Sequence, residues 1–326
     1  MTETLPTVGF IGLGAMGGPM ALNILAAGFP VVANDVRPDA ASAHRARGAA
    51  WAASPLAVAE RSDVVLSCLP SVEAVEAVSL GPDGVLAGLR AGGAHFELST
   101  NAPKMVAKLH AAYATKGAHF LDAPITGGAI GARKARLTIF VGGDKDSYER
   151  FAPVLRAMGD RLIHVGKSGA GIVTKLVNNC AGQTINLVVG EIFALGLKAG
   201  AEPLALWEAL RSGASGRRRT FDLMIDEYLP AHFSPPNATL SIYHKDMMLA
   251  TELARDLKVP MRFANLALGE YTEAMARGMQ ELDGRVAMTL ALERLGLAVK
   301  EDPEAIEEIL RRDPPAASDS KRGSGG

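Results

Sequence analysis

The chain has 326 residues, 48% hydrophobic and 21% charged, a composition that excludes disorder for most of its length and is longer than one core usually serves. Lysine and arginine number 34 against 35 aspartates and glutamates, so no basic field is available to hold nucleic acid. Two cysteines, Cys68 and Cys180, stand far apart without a partner pattern, which excludes a disulfide framework and zinc-ligand spacing and points to a reducing cytoplasm.

In chain order, no basic stretch precedes an apolar signal core, and the first apolar run, residues 7–11, reads as a buried parallel strand ending in glycines. A helical pattern from Ala15 to Ala27 stops at Gly28, and a second strand, Val31 to Asn34, ends at Asp35. Further strands are predicted at 64–66, 94–98, 118–121, 137–141 and 162–165, alternating with helices, which implies a mostly parallel sheet covered on both faces. From Gly169 the pattern is helical almost to Arg312, with breaks at Gly200, Gly213–Gly216, Pro230–Pro236 and Pro260. The apolar segment Ile172–Leu197 carries Lys175, Asn178, Asn179, Gln183, Asn186 and Glu191, too many polar groups for a membrane span. The expected architecture is an α/β, Rossmann-type doubly wound sheet over residues 1–165, then an all-α C-terminal domain over 166–312, joined by a long connector helix. Residues 313–326, rich in Pro, Ala, Ser and Gly, are expected to be a disordered tail.

The turn Gly12-Leu13-Gly14-Ala15-Met16-Gly17 follows a strand and opens a helix, the context in which G-x-G-x-x-G binds a dinucleotide. Its first glycine permits the tight turn, its second the approach of the pyrophosphate, and its third close packing of helix on strand. The helix N-terminus then offers free N–H groups to the phosphates. Asp35, flanked by Asn34 and Val36 about twenty residues on, can accept the adenosine ribose hydroxyls and would repel a ribose phosphate. NAD is therefore the expected cofactor, with Arg37 leaving NADP as the alternative.

Four motifs in order resemble the β-hydroxyacid dehydrogenase family, over residues 7 to about 295. They are the glycine turn extended to Gly18-Pro19-Met20 and Asn23, Asp122-Ala-Pro-Ile-Thr-Gly-Gly-Ala-Ile-Gly-Ala132, Gly171-Ile-Val-Thr-Lys-Leu-Val-Asn-Asn179, and Lys245-Asp246-Met247. The resemblance implies that Leu69-Pro70 and Ser99-Thr100 line the nicotinamide and that Lys245 and Asp246 close over it from the helical domain. It implies a substrate-binding role for Thr126, Gly127 and Gly128, whose hydroxyl and backbone N–H groups suit a carboxylate. It implies that Lys175 is the catalytic acid/base. The residues agree, because a lysine among Ile172, Val173, Leu176 and Val177 loses charge on burial and its pKa moves toward the useful range. Asn179 follows at i+4 on the same face, placed to fix a hydroxyl or carboxylate.

Two departures bear on specificity. The family often has a phenylalanine seven residues before the lysine of the fourth motif; here Ala238 stands there, giving more room at that wall unless Tyr243 or Phe233 rebuilds it. The run Arg217-Arg218-Arg219 extends a family loop, and Arg217 is a candidate for a second anionic substrate group. The family places no catalytic histidine at the position of His244, so the resemblance implies a role supporting the site from behind or a structural one. The expected activity is NAD-dependent interconversion of a short β-hydroxyacid with its semialdehyde or keto acid by a homodimer or homotetramer, with no nucleic acid and no membrane involved. An imine reductase-like enzyme and a non-catalytic dinucleotide-binding scaffold are the alternatives, and an intact Lys175–Asn179 pair argues against both.

Overall fold

A computed structural model describes residues 5–198, 200–213, 220–256, 258 and 262–312. They form two compact units, residues 1–177 and 178–326, each described separately below.

The first unit is built on one sheet. Its strands are β1 (Val8–Ile11), β2 (Val31–Asn34), β3 (Ala50–Trp51), β4 (Val64–Ser67), β5 (Ala94–Glu97), β6 (His119–Asp122), β7 (Ile125–Thr126), β8 (Thr138–Gly142) and β9 (Arg161–Gly166). They lie in the order β3-β2-β1-β4-β5-β6-β8-β7, with β9 beside β8. Strands β1 to β6 pair in parallel, and β1 and β4 are neighbours although the chain visits β2 and β3 between them. The order reverses at that point, and ligands of open α/β sheets bind in the crevice beyond the carboxyl ends of strands where it does so. The continuous apolar runs seen in the sequence are explained by burial on both faces: every residue of β1, β2, β4 and β5 is buried.

The parallel pattern breaks at β8, which runs antiparallel to β6 and β7. Between Thr126 and Thr138 the chain forms only the short helix Gly128–Arg133, too little for a parallel crossover, so it returns alongside β7 instead. The two-residue strands β3 and β7 are too short to show a period in sequence.

The connector helix runs Ala170–Lys198, and the two units divide inside it, between Val177 and Asn178, later than the change of pattern near Gly166. Its first turn lies directly on the sheet. A Cβ at Gly171 would sit 2.4 Å from the Asp122 carbonyl oxygen and 2.6 Å from that of Phe140, so only glycine lets the helix approach this closely.

In the second unit the helices are Pro203–Ser212, Leu240–Asp256, Arg262–Ala276, Thr289–Arg294 and Pro303–Arg312, together with the remainder of the connector. Their core holds Phe193, Trp207, Tyr228, Met247, Tyr271 and Leu290. The Tyr271 hydroxyl donates to the Gln183 carbonyl oxygen, fixing the helix Arg262–Ala276 on the connector. Among the described residues no helix is long and apolar enough to cross a membrane.

Candidate active site

At the carboxyl end of β1 the three glycines of the turn differ in what surrounds them. Gly12 has φ +90°, and a Cβ there would lie 2.2 Å from the Cys68 carbonyl oxygen. A Cβ at Gly17 would lie 1.8 Å from the Gly12 carbonyl oxygen. At Gly14 it would meet nothing within 4 Å, and Gly14 and Ala15 are exposed while Met16 is half-buried. Two glycines thus close the turn, and the middle one leaves an open cradle at the start of the helix Gly17–Ala26. That open space before the helix N-terminus fits the pyrophosphate of a dinucleotide.

The next strand braces this cradle. The Asp35 carboxylate accepts the Leu13 N–H at 2.7 Å on one oxygen and the Arg37 N–H at 2.8 Å on the other, with the Arg37 Nε 3.7 Å away. Each oxygen keeps a lone pair for a ribose hydroxyl. Val36 beside it is 95% exposed. Asn34 is buried, and its side-chain amide donates to the Ala52 carbonyl oxygen while its own carbonyl accepts the Gly12 N–H. Its contribution is therefore to set Asp35 against the turn.

Leu69 and Pro70 follow β4, and Thr100 follows β5. The two loops are joined by the Leu69 N–H, which donates to the Ser99 hydroxyl at 2.7 Å. Beyond β7, Gly127 and Gly128 have φ of +124° and +60°, and a Cβ on Gly128 would meet nothing. Successive turn residues of this kind gather N–H groups into an anion-binding concavity. The half-buried Thr126 adds a hydroxyl. Asn23, on the helix of the glycine turn, donates to the Ala132 carbonyl oxygen at 2.7 Å, so this loop and the cradle share one frame.

Lys175 lies one turn beyond Gly171 on the connector helix and is only 8% exposed. The helix start beneath it is held by Asp122, whose two oxygens accept the Gly169 and Ile172 N–H groups, each at 2.8 Å. Burial pushes the Asp122 carboxyl upward, against the opposing pull of those N–H groups. The second motif begins at Asp122 without showing this role; the only local sign of it is an acid ending an apolar strand, where an unpaired charge is too costly to bury.

In the second unit, Asn179, Lys245 and Asp246 come together. The Asn179 amide donates to Asp246 at 2.6 Å, and the Lys245 Nζ lies 3.1 Å from the other Asp246 oxygen. His244 Nε2 is 3.0 Å from the Thr272 hydroxyl oxygen. Ala238 lies seven residues before Lys245, ahead of the helix Leu240–Asp256, and its carbonyl accepts the Gly284 N–H. The preceding residue, Asn237, is fastened by Asp283 and Glu227, themselves paired with Arg285. Tyr243 packs so tightly on Gly284 that a Cβ there would lie 2.4 Å from its ring. Arg217, Arg218 and Arg219, like the tail 313–326, lie outside the described residues. Among the described residues no three His, Cys, Asp or Glu side chains gather as a metal site.

A phosphate cradle at the reversal of strand order, an acid at the next strand end and a buried lysine on the connector helix define a nicotinamide-dependent dehydrogenase. The chain belongs to the β-hydroxyacid dehydrogenase family. Residues 7–166 match the NAD-binding domain of 6-phosphogluconate dehydrogenase, and residues 169–291 the NAD-binding domain of NADP-dependent 3-hydroxyisobutyrate dehydrogenase. It is similar to the 2-(hydroxymethyl)glutarate dehydrogenase of Eubacterium barkeri, with 32% identity over 90% of this chain and 97% of that one. It is also similar to the NAD-dependent L-serine dehydrogenase of Pseudomonas aeruginosa, with 35% identity over 87% and 97% respectively. Among solved structures, the 3-hydroxyisobutyrate dehydrogenase of Mycobacterium tuberculosis, determined with L-serine, matches with TM-score 0.79 and 29% identity over 88% of this chain and 99% of that one.

Proposed function

We propose that this enzyme oxidises a short β-hydroxyacid reversibly to its semialdehyde or keto acid, with Lys175 exchanging the hydroxyl proton. The observation that carries the reading is the burial of Lys175 one turn from the point where the connector helix rests on the carboxyl edge of the sheet. NAD, with NADP as the alternative, fits the cradle of Gly12, Leu13, Gly14, Ala15 and Met16, with Asp35 and Val36 at its adenosine end and Leu69, Pro70 and Thr100 at its nicotinamide end. When bound, it supplies the acceptor for the substrate's hydride.

The remaining work falls to the chain itself. Thr126 with the Gly127 and Gly128 amides holds the substrate carboxylate. Neutral Lys175 takes the hydroxyl proton at Nζ as the carbonyl forms, and in the reverse direction its ammonium returns that proton to the carbonyl oxygen. Burial favours the neutral amine that the oxidation needs. Asn179, held by Asp246 beside Lys245, keeps one amide N–H for the substrate oxygen. Ala238 and Arg217 are assigned to substrate discrimination.

Lys175→Ala tests this directly. Turnover is expected to vanish while NAD affinity by fluorescence titration stays nearly unchanged; retained turnover removes the mechanism. A panel of short hydroxyacids and hydroxy amino acids then ranks substrates. Self-association is supported by Phe263 and Leu266, 69% and 68% exposed on one helix, and by exposed Val177, Ile185 and Val188 on the connector. A homodimer or homotetramer is expected, and a monomer by sedimentation velocity contradicts it. Cys68 and Cys180, present as thiols, support a cytoplasmic location, which fractionation of the source cells tests.

A further inference from the structure

Beneath the loops after β4 and β5 lies a buried polar chain that the proposed chemistry does not use. Ser67 ends β4 and Glu97 ends β5, and the two are partners in the sheet register. The Ser67 hydroxyl donates to Glu97 Oε2 at 2.5 Å and lies 2.7 Å from His95 Nε2. His95 Nδ1 in turn lies 2.7 Å from the Tyr113 hydroxyl. The other Glu97 oxygen accepts the Ser99 N–H at 2.7 Å, and the Ser99 hydroxyl accepts the Leu69 N–H. All five residues are buried, and Ser67, His95 and Tyr113 completely so.

With Glu97 ionised and His95 neutral, one assignment of protons satisfies every bond. Ser67 has a single proton and gives it to Glu97, so His95 donates from Nε2 and, being neutral, accepts from Tyr113 at Nδ1. Burial likewise pulls the imidazole down to about 3. Every donor in the chain therefore points toward Glu97, and no cation in it compensates the carboxylate. A buried, uncompensated charge is expensive, and a site that retains one gains something specific from it.

We propose that Glu97 is a positioning residue for the nicotinamide half of the cofactor. Through Ser99 it locks the loops carrying Leu69-Pro70 and Thr100 into one wall, and its carboxylate sets behind that wall a negative charge favouring the cationic, oxidised ring over the neutral, reduced one. The proposal rests on the reading that these loops face the nicotinamide.

Glu97→Gln preserves the shape. Its oxygen still accepts the Ser99 N–H, and its amide donates to Ser67, whose proton turns to His95 by a change of tautomer. Dissociation constants for NAD, NADH and ADP-ribose, measured at pH 8 by calorimetry or fluorescence, separate charge from shape. Glu97→Gln is expected to weaken NAD about fivefold more than NADH and to leave ADP-ribose, which lacks the ring, within about twofold. Ser99→Ala removes the tie between loops and is expected to weaken NAD and NADH together, again sparing ADP-ribose; Ser99→Thr, which keeps the hydroxyl, restores both. An unchanged ratio of NAD to NADH affinity in Glu97→Gln, or ADP-ribose falling in parallel, overturns the proposal. Leu69→Ala changes the loop surface itself: if it leaves all three ligands unaffected, the placement of the nicotinamide is what fails. If the wild type does not bind ADP-ribose, the reading of the glycine turn fails.

Discussion

Asp122, the last residue of β6, accepts the backbone N–H of Ile172 at 2.8 Å through one carboxylate oxygen while the other accepts Gly169. A strand end thus caps the helix that carries Lys175, and the distance of the lysine from the sheet is set by this bond and by the close approach of Gly171.

Asp122→Asn tests that relationship, because asparagine offers one acceptor where two are used and turns an N–H toward a backbone donor. The expected cost is about 1–3 kcal/mol of stability, read from the urea midpoint. With the start of the helix loosened, kcat is expected to fall at least as far as kcat/KM, while ADP-ribose binding is spared. Stability equal to wild type would mean that the two amide bonds contribute nothing.

The glycine turn yields a sharper contrast. Gly12→Ala drives a methyl into the Cys68 carbonyl and strains a φ of +90°, so the protein is expected to fold poorly or to melt far below wild type. Gly14→Ala meets nothing within 4 Å, so it is expected to melt within a degree or two of wild type, about 0.5 kcal/mol, yet to bind NAD at least tenfold more weakly. Equal loss of stability in both variants would show that Gly14 is retained for folding.

What could be read in the sequence and what could not divide along physical lines. Strand β1, the turn and Asp35 were legible because burial on both faces and the steric demand of glycine leave local marks. That Lys175 and Asn179 share one helix was legible because a single apolar helical segment carries both. The antiparallel turn of β8 was not, since its cause is the shortness of a connection rather than any period in the strand. Nor was the partner of Asn179: Asp246 lies 67 residues on, and no local pattern announces the bond. Glu97 and His95 were visible as polar residues in an apolar strand, but what they meet depends on the register of β4 against β5.

That pair makes a prediction about pH. His95 is pulled down to about 3 from 6.5 by burial, so the stability gained by keeping it neutral is present above pH 6.5 and is lost as pH falls toward 3. Glu97 is pushed up to about 7 from 4.5, burial outweighing the bonds from Ser67 and Ser99, so its contribution is greatest at low pH and is lost as pH rises through 7. Between 4.5 and 6.5 the two slopes oppose one another. Glu97→Gln removes one of them, and the variant is expected to lose stability on acidification from pH 6.5 to 4.5 at up to about 1.4 kcal/mol per pH unit relative to wild type. Denaturation midpoints across this range decide it, and parallel profiles would mean that the two groups do not titrate as their burial demands.

The Asn179–Asp246 bond leads to the last prediction. At 2.6 Å it is a charge-assisted bond, and Lys245 on the opposite oxygen holds the carboxylate in place. If Asn179 serves the substrate only when Asp246 fixes it, the two residues act as one unit and their removals cannot add. Asn179→Ala and Asp246→Ala are each expected to reduce kcat/KM by about tenfold to a hundredfold, and the double variant by little more than the worse single one. Asp246→Asn, which keeps an acceptor without the charge, is expected to fall between wild type and Asp246→Ala. Additive losses in the double variant would place Asp246 in a separate role, and Asn179 would then have to be oriented by the helix alone.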